Sequence, residues 1–150
     1  MQSCQLNSLD LDRLDTELRL TPEPAPELFR KIAADVGSRD NVETDSRLEC
    51  LLVAEAWTDA ALLVVEVFLV GWGGRYLRYD GGEWSCSLSP RTGDFSFDDP
   101  AESAHRFLSV AILRAVLAAL CLNDRPPRAL ASVPSAADLA IQYVCCDNFA

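Results

Sequence analysis

A single histidine limits the covalent chemistry that this chain can perform. His105 is the only histidine, so a cysteine–histidine or serine–histidine nucleophile pair would have to use it. Cys86 and Cys121 are the cysteines that folding could bring near it, and the chain has no Gly-x-Ser-x-Gly nucleophile elbow. We predict His105 on the polar edge of a long helix, which favours a surface position over catalysis. The sequence therefore predicts no catalytic residue, with a cysteine-dependent enzyme as the alternative.

The cysteines show neither a metal-site nor a disulfide pattern. No Cys-x-x-Cys pair occurs, and two adjacent thiolates cannot reach one tetrahedral ion without strain. The first residues lack the basic start and apolar run of a secretion signal, so we expect a cytoplasmic protein with reduced, mostly structural thiols. We predict no metal and no cofactor. The six cysteines are Cys4, Cys50, Cys86, Cys121, Cys145 and Cys146.

Two further patterns have a chemical use but a simpler structural explanation. The carboxylate pairs Asp10/Asp12 and Asp98/Asp99 lack the histidine or glycine frame of a metal or acid–base site, and helix starts account for them. The glycine-rich segment 71–74 precedes a predicted strand, so no helix amino end would meet a bound phosphate there. We interpret it as a turn from helix to strand.

An arginine–tyrosine pattern is the best local indication of function. Arginine and tyrosine are favoured at protein interfaces because each offers a large contact area with a polar end. A hairpin strand with half of its side chains in the core is the alternative interpretation. The predicted partner-binding residues are Arg75, Tyr76, Arg78 and Tyr79.

The charge balance excludes one class of partner. The 150-residue chain has 23 acidic and 13 basic residues, a net charge of −10. Such a surface repels phosphate backbones, so we expect no direct binding of nucleic acid. The apolar runs 60–70 and 107–122 are too short to cross a membrane, so we expect no membrane partner either.

The front of the chain predicts helices joined by one stiff connector. Leucines at helical spacing indicate a helix over 7–20, and the prolines of 21–26 make the first twenty residues a loosely attached acidic arm. A single domain over 27–150 follows. Helices are expected over 26–36 and from Thr44 or Asp45 onward. For 60–70 the sequence favours a helix, while its β-branched residues leave a strand open.

The second half predicts a small sheet and a long apolar helix. Asp80-Gly81-Gly82 suits a tight hairpin between strands at 75–79 and 83–89, and Phe95-Ser96-Phe97 would supply a third strand. The fold class is α+β, with a three-stranded antiparallel meander over about 74–98 packed on a helix over about 100–122. That helix is apolar on nearly all sides, so other helices, 45–57 and 60–70, should cover its second face. A last short helix is expected from Ser135.

This order of elements resembles the phage α–β–α sandwich domain family over about residues 25–122. The likeness rests on Gly-Ser-Arg-Asp-Asn-Val-Glu-Thr-Asp at 37–45, Glu-Trp-Ser-Cys-Ser-Leu at 83–88, Ala-Glu-Ser-Ala-His at 101–105 and Ala-Ile-Leu-Arg-Ala at 111–115. The resemblance implies helices on both faces of a short antiparallel sheet, a phage or prophage origin and a cytoplasmic accessory role. It implies no catalytic residues.

We therefore expect a non-enzymatic accessory protein that binds a host or phage protein, with inhibition of a host defence complex as the hypothesis for its action. An immunity protein that neutralises a toxin is the alternative within the same broad class. A homodimer through surplus apolar surface of helix 102–122 is a further option.

Overall fold

The described part of the chain forms five helices and a three-stranded antiparallel sheet, which confirms the α+β class. A computed structural model describes residues 8–36, 42–90 and 100–123. The helices are α1 (Ser8–Leu20), α2 (Pro26–Val36), α3 (Val42–Val53), α4 (Trp57–Phe68) and α5 (Leu108–Asn123). The strands are β1 (Trp72–Asp80), β2 (Glu83–Pro90) and β3 (Ala101–His105), in the order β1-β2-β3.

The hairpin between β1 and β2 follows the sequence prediction closely. Asp80 faces Glu83 across a two-residue turn, in which Gly81 and Gly82 have φ angles of +59° and +90°. Two successive positive φ angles are what a type I′ hairpin turn requires, and glycine adopts them without a steric penalty. At the other end of β1 the register shifts between Trp72 and Gly74, which makes an irregularity at Gly73.

The third strand lies later in the chain than expected. Phe95-Ser96-Phe97 is outside the described residues, and the observed third strand is β3, where the sequence analysis expected the first turns of the long helix. Residues 101–105 alternate, with Ala101 and His105 buried and Glu102 and Ala104 exposed, which is a two-residue period. Pairing with β2 also satisfies backbone groups that would otherwise be left at its edge. The expected helix over 100–122 is therefore observed only from Leu108.

Helix α5 is covered on two sides, as its apolar sequence predicted. The strands β2 and β3 pack on one side, and α4 and α1 pack on others. The helices predicted to cover the second face of α5 were 45–57 and 60–70. The second of these, observed as α4, does pack on α5. The first, observed as α3, packs mainly on α4, and α1 packs on α5 instead. Residues 109–113, 115–117 and 119 are all buried within one copy.

Helix α1 belongs to the core. Leu11, Leu14 and Leu18 are no more than 3% exposed and lie in the same apolar cluster as the buried residues of α4 and α5. Residues 8–20 are therefore held in place by burial, and the expectation of a loosely attached arm is wrong for them. The proline connector did not imply separation, because a stiff link can also direct a helix back onto its own core.

The ambiguous apolar stretch before the sheet is helical. Residues 57–68 form α4, so the strand alternative for 60–70 is wrong. Ala56 occupies the N-cap position of α4, and Asp59 lies in its first turn. No helix in the described ranges is both long and apolar enough to cross a membrane. The predicted tail helix from Ser135 lies outside the described residues.

Candidate protein-binding surface

Strand β1 lies at an edge of the sheet and carries all four predicted partner-binding residues. Among the described strands it pairs only with β2. Tyr76 is 66% exposed and Tyr79 is 59% exposed, and Arg75 and Arg78 are exposed as well. Large aromatic side chains with this much accessible surface on a regular strand are typical of contact surfaces rather than of a core.

The alternation of the strand divides the four residues between the two faces of the sheet. Arg75 and Tyr79 are opposite Leu88 and Trp84 of β2, and buried Leu88 identifies that face as the inner one. Tyr76 and Arg78 are on the outer face, opposite two serines of β2, Ser87 and Ser85. The sequence placed these residues on one strand, and the structure shows that they form two separate pairs.

Within the described part of the chain, the inner face of β1 is accessible, because α5 packs on the other two strands. Leu77 shares this face with Arg75 and Tyr79 and is 40% exposed, whereas Cys86, its neighbour on β2, is 1% exposed. The ring of Tyr79 contacts the ring of Trp84, with centroids 5.0 Å apart. Leu77 was missed in the sequence analysis, although its place midway between two arginine–tyrosine pairs was a usable signal.

The charges on β1 are held loosely. Arg78 Nη2 donates to Asp80 Oδ2 at 2.8 Å, and both side chains are well over half exposed. Such a pair adds little to stability, since water screens it and two flexible side chains must be ordered. Both groups therefore remain available to a partner.

The backbone of β1 offers hydrogen-bonding groups at the free edge. In a two-residue hairpin the residues that flank the turn exchange hydrogen bonds, and pairs alternate along the strands from there. Asp80 and Glu83 flank the turn, so Tyr76 and Arg78 bond to β2. Arg75, Leu77 and Tyr79 consequently direct their N–H and C=O groups away from β2, toward the open edge.

At the opposite edge, which we call the closed edge, an arginine binds one backbone carbonyl of β3. Arg114 of α5 donates from Nη1 to the carbonyl oxygen of Ala104 at 2.6 Å. Its Nε and Nη2 donate to the two carboxylate oxygens of Asp15 in α1, at 2.7 and 3.2 Å. The Arg114 side chain is only 16% exposed, so its bidentate ion pair with Asp15 is better protected from solvent than the Arg78–Asp80 pair on β1. The three groups join α1, α5 and the outer edge of β3.

The lone histidine lies in β3 and is buried, in contrast to the predicted place on a helix surface. His105 is 7% exposed, and its Nδ1 accepts a hydrogen bond from the backbone N–H of Phe107 at 3.1 Å. Burial is the largest cause that lowers the pKa of His105, and the positive charges of Arg114 and Arg106 lower it further. The neutral ring thus serves as an acceptor at the turn from β3 to α5.

The thiol of Cys86 is unsuited to nucleophilic chemistry. It is 1% exposed, and burial raises its pKa to about 11, so the reactive thiolate is scarce near neutral pH. Cys50, by contrast, is exposed. Within the described ranges, no group of three or more histidine, cysteine, aspartate or glutamate side chains could hold a metal ion.

Comparisons with protein-family models, with curated proteins and with solved structures return no match to this chain.

Proposed function

We propose that this chain is a non-enzymatic accessory protein that acts by binding another protein through β1. The observation that supports this most strongly is the exposure of Tyr76 and Tyr79 on an edge strand. Tyrosine and arginine side chains are frequent energetic centres of interfaces, and Tyr76 and Arg78 offer one of each on the outer face of this strand.

The proposed partner is a host protein, and the proposed origin is a phage or prophage. The resemblance in the sequence supports the origin, and a defence complex is the target that we propose on that basis. Arg75 and Arg78 place one positive charge beside a tyrosine on each face of β1, on a chain that is acidic as a whole. A partner surface with both an acidic and an apolar character would complement such an arginine–tyrosine pair.

Affinity capture with matched variants tests the proposal. The purified chain is immobilised and exposed to lysate of the bacterial host, and retained proteins are identified by mass spectrometry. The test variant carries Tyr76→Ala and Arg78→Ala on the outer face of β1. The control carries Ser85→Ala and Ser87→Ala, which change the facing positions of β2 on the same face.

We expect the wild type and the serine control to retain the same protein, and the test variant to retain about tenfold less of it or lower still. Capture of a defence component supports the favoured action, whereas capture of a toxin indicates an immunity protein. Equal retention by all three forms, or no specific retention at any salt concentration, would count against β1 as the binding surface.

A further inference from the structure

Strand β1 has a sequence that complements itself when it runs antiparallel to a second copy. Centred on Leu77, the strand reads Arg75-Tyr76-Leu77-Arg78-Tyr79. Pairing two such strands about Leu77 places Arg75 opposite Tyr79 of the second copy, and Tyr76 opposite Arg78. Every arginine then meets a tyrosine, on both faces of the sheet, and no two arginines are directly opposite.

The alternating direction of the backbone N–H and C=O groups along β1 agrees with this register. The residues whose N–H and C=O groups point to the open edge are Arg75, Leu77 and Tyr79, and in this register they oppose one another. Each opposed pair exchanges two hydrogen bonds, so the contact contains about six backbone hydrogen bonds. A shift of the register by one residue would place the N–H and C=O groups that point to the open edge opposite residues of the second copy whose groups point away from it. The hydrogen bonds between the two copies would then be lost.

We infer that a second copy of this chain pairs with β1, edge to edge, and joins the two three-stranded sheets into one. Arginine over tyrosine is a favourable cation–π and stacking contact, and opposed cross-strand pairs of this kind stabilise a sheet. The two Leu77 side chains meet at the twofold axis on the inner face.

No element of the described residues covers the inner face of β1, which leaves space there for a second copy. Leu77 is 40% exposed and Tyr79 is 59% exposed, because α5 lies over β2 and β3 rather than over β1. The pairing uses the backbone edge and leaves Tyr76 and Arg78 on the outer face of both copies. It does not depend on the proposed host partner, and a dimer would present two copies of that outer pair side by side.

Sedimentation of the purified chain under reducing conditions tests the inference through Leu77. The wild type should show a concentration-dependent dimer, and Leu77→Lys should raise the dissociation constant about tenfold or more, since two ammonium groups then meet at the axis. Leu77→Val is the matched control, because it keeps an apolar, strand-favouring side chain, and it should dimerise like the wild type.

An exchange of residues tests the register itself. Tyr76→Arg places like charges opposite each other twice per dimer and should weaken association about tenfold. Adding Arg78→Tyr to that variant restores an arginine–tyrosine pair and should recover wild-type association to within about threefold. Both positions face serines of β2, so the exchange alters little within one copy.

Three results would overturn the inference. They are a wild type that stays monomeric at all attainable concentrations, a Leu77→Lys variant that dimerises unchanged, and a double variant that associates as weakly as Tyr76→Arg alone. These assays do not decide the host-binding proposal, because only the purified chain is present in them.

Discussion

The two edges of the sheet, at β3 and at β1, differ in the contacts that they make with the rest of the chain. At β3, the carbonyl of Ala104 accepts from Arg114, which is itself bound by Asp15. At β1, the described structure places no strand or helix along the edge, and the exposed side chains there include two arginines and two tyrosines. Natural proteins usually block or cover exposed edges, since a free edge invites pairing with other chains.

We therefore expect a division of roles between the two edges. The β3 edge joins α1, α5 and the sheet, so its residues should matter for folding. Among the described residues the β1 edge makes no such connection, so we expect its side chains to tolerate substitution without loss of the fold.

The largest effect should come from removing the support behind the closed edge. Leu18→Ala deletes a side chain that is 0% exposed in the core and should lower the free energy of unfolding by about 3 kcal/mol. Leu20→Ala, two residues later and 76% exposed, should change it little. Chemical denaturation followed by tryptophan fluorescence measures both. Equal, small changes would show that α1 is not part of the core.

Breaking the closed edge itself should cost somewhat less. Arg114→Met keeps most of the apolar stem but leaves the Asp15 carboxylate and the Ala104 carbonyl without their donor, which should destabilise the fold by about 2 kcal/mol. Arg30→Met, which removes an exposed pair with Glu49, is the control and should have little measurable effect. If the two variants lose the same stability, the protection of Arg114 from solvent is unimportant.

A smaller effect should appear as a pH dependence at the end of β3. The pKa of His105 is lower in the fold than in the unfolded chain, where it is about 6.5. As pH falls through that unfolded value toward the folded one, the unfolded chain binds a proton first, and the contribution of the neutral ring to stability is lost. Above about pH 6.5 the contribution is fully present.

Unfolding measured from pH 7.5 to pH 5 isolates this contribution when the wild type is compared with His105→Asn. Asparagine can still accept from the Phe107 N–H but does not titrate. The wild type should lose more stability than the variant over this range. Parallel pH profiles would rule out the depressed pKa.

The smallest effect on stability is expected at the open edge. Tyr76→Ala removes a side chain that is 66% exposed, so the free energy of unfolding should change by less than about 0.5 kcal/mol. The same variant should still weaken capture of the partner. A large loss of stability would mean that β1 is structurally essential, contrary to the division between the edges.

Elements that depend on local sequence were predicted well, and those that depend on long-range contacts were predicted poorly. The hairpin could be predicted from Gly81 and Gly82, because few residues other than glycine adopt two successive positive φ angles. Helix α2 could be predicted from its apolar stripe. The position of β3 could not be predicted in this way, because the segment 101–105 is short and polar enough to begin a helix. Its strand conformation depends on pairing with β2.

The candidate site shows the same limit. The arginine–tyrosine pattern marked β1, but its position at an edge depends on which strand follows β2 and on where α5 lies. The contact between Asp15 and Arg114 spans 99 positions in the chain, and no local pattern announces it. Burial of His105 likewise follows from β3 and was therefore missed.

Residue-resolved amide hydrogen exchange, in a solution dilute enough to keep the chain monomeric, tests the open edge most directly. We expect alternation along β1, with slow exchange at Tyr76 and Arg78 and fast exchange at Arg75, Leu77 and Tyr79. Equal protection of all five amides in the monomer would show that the chain covers this edge itself and that β1 is not open to a partner.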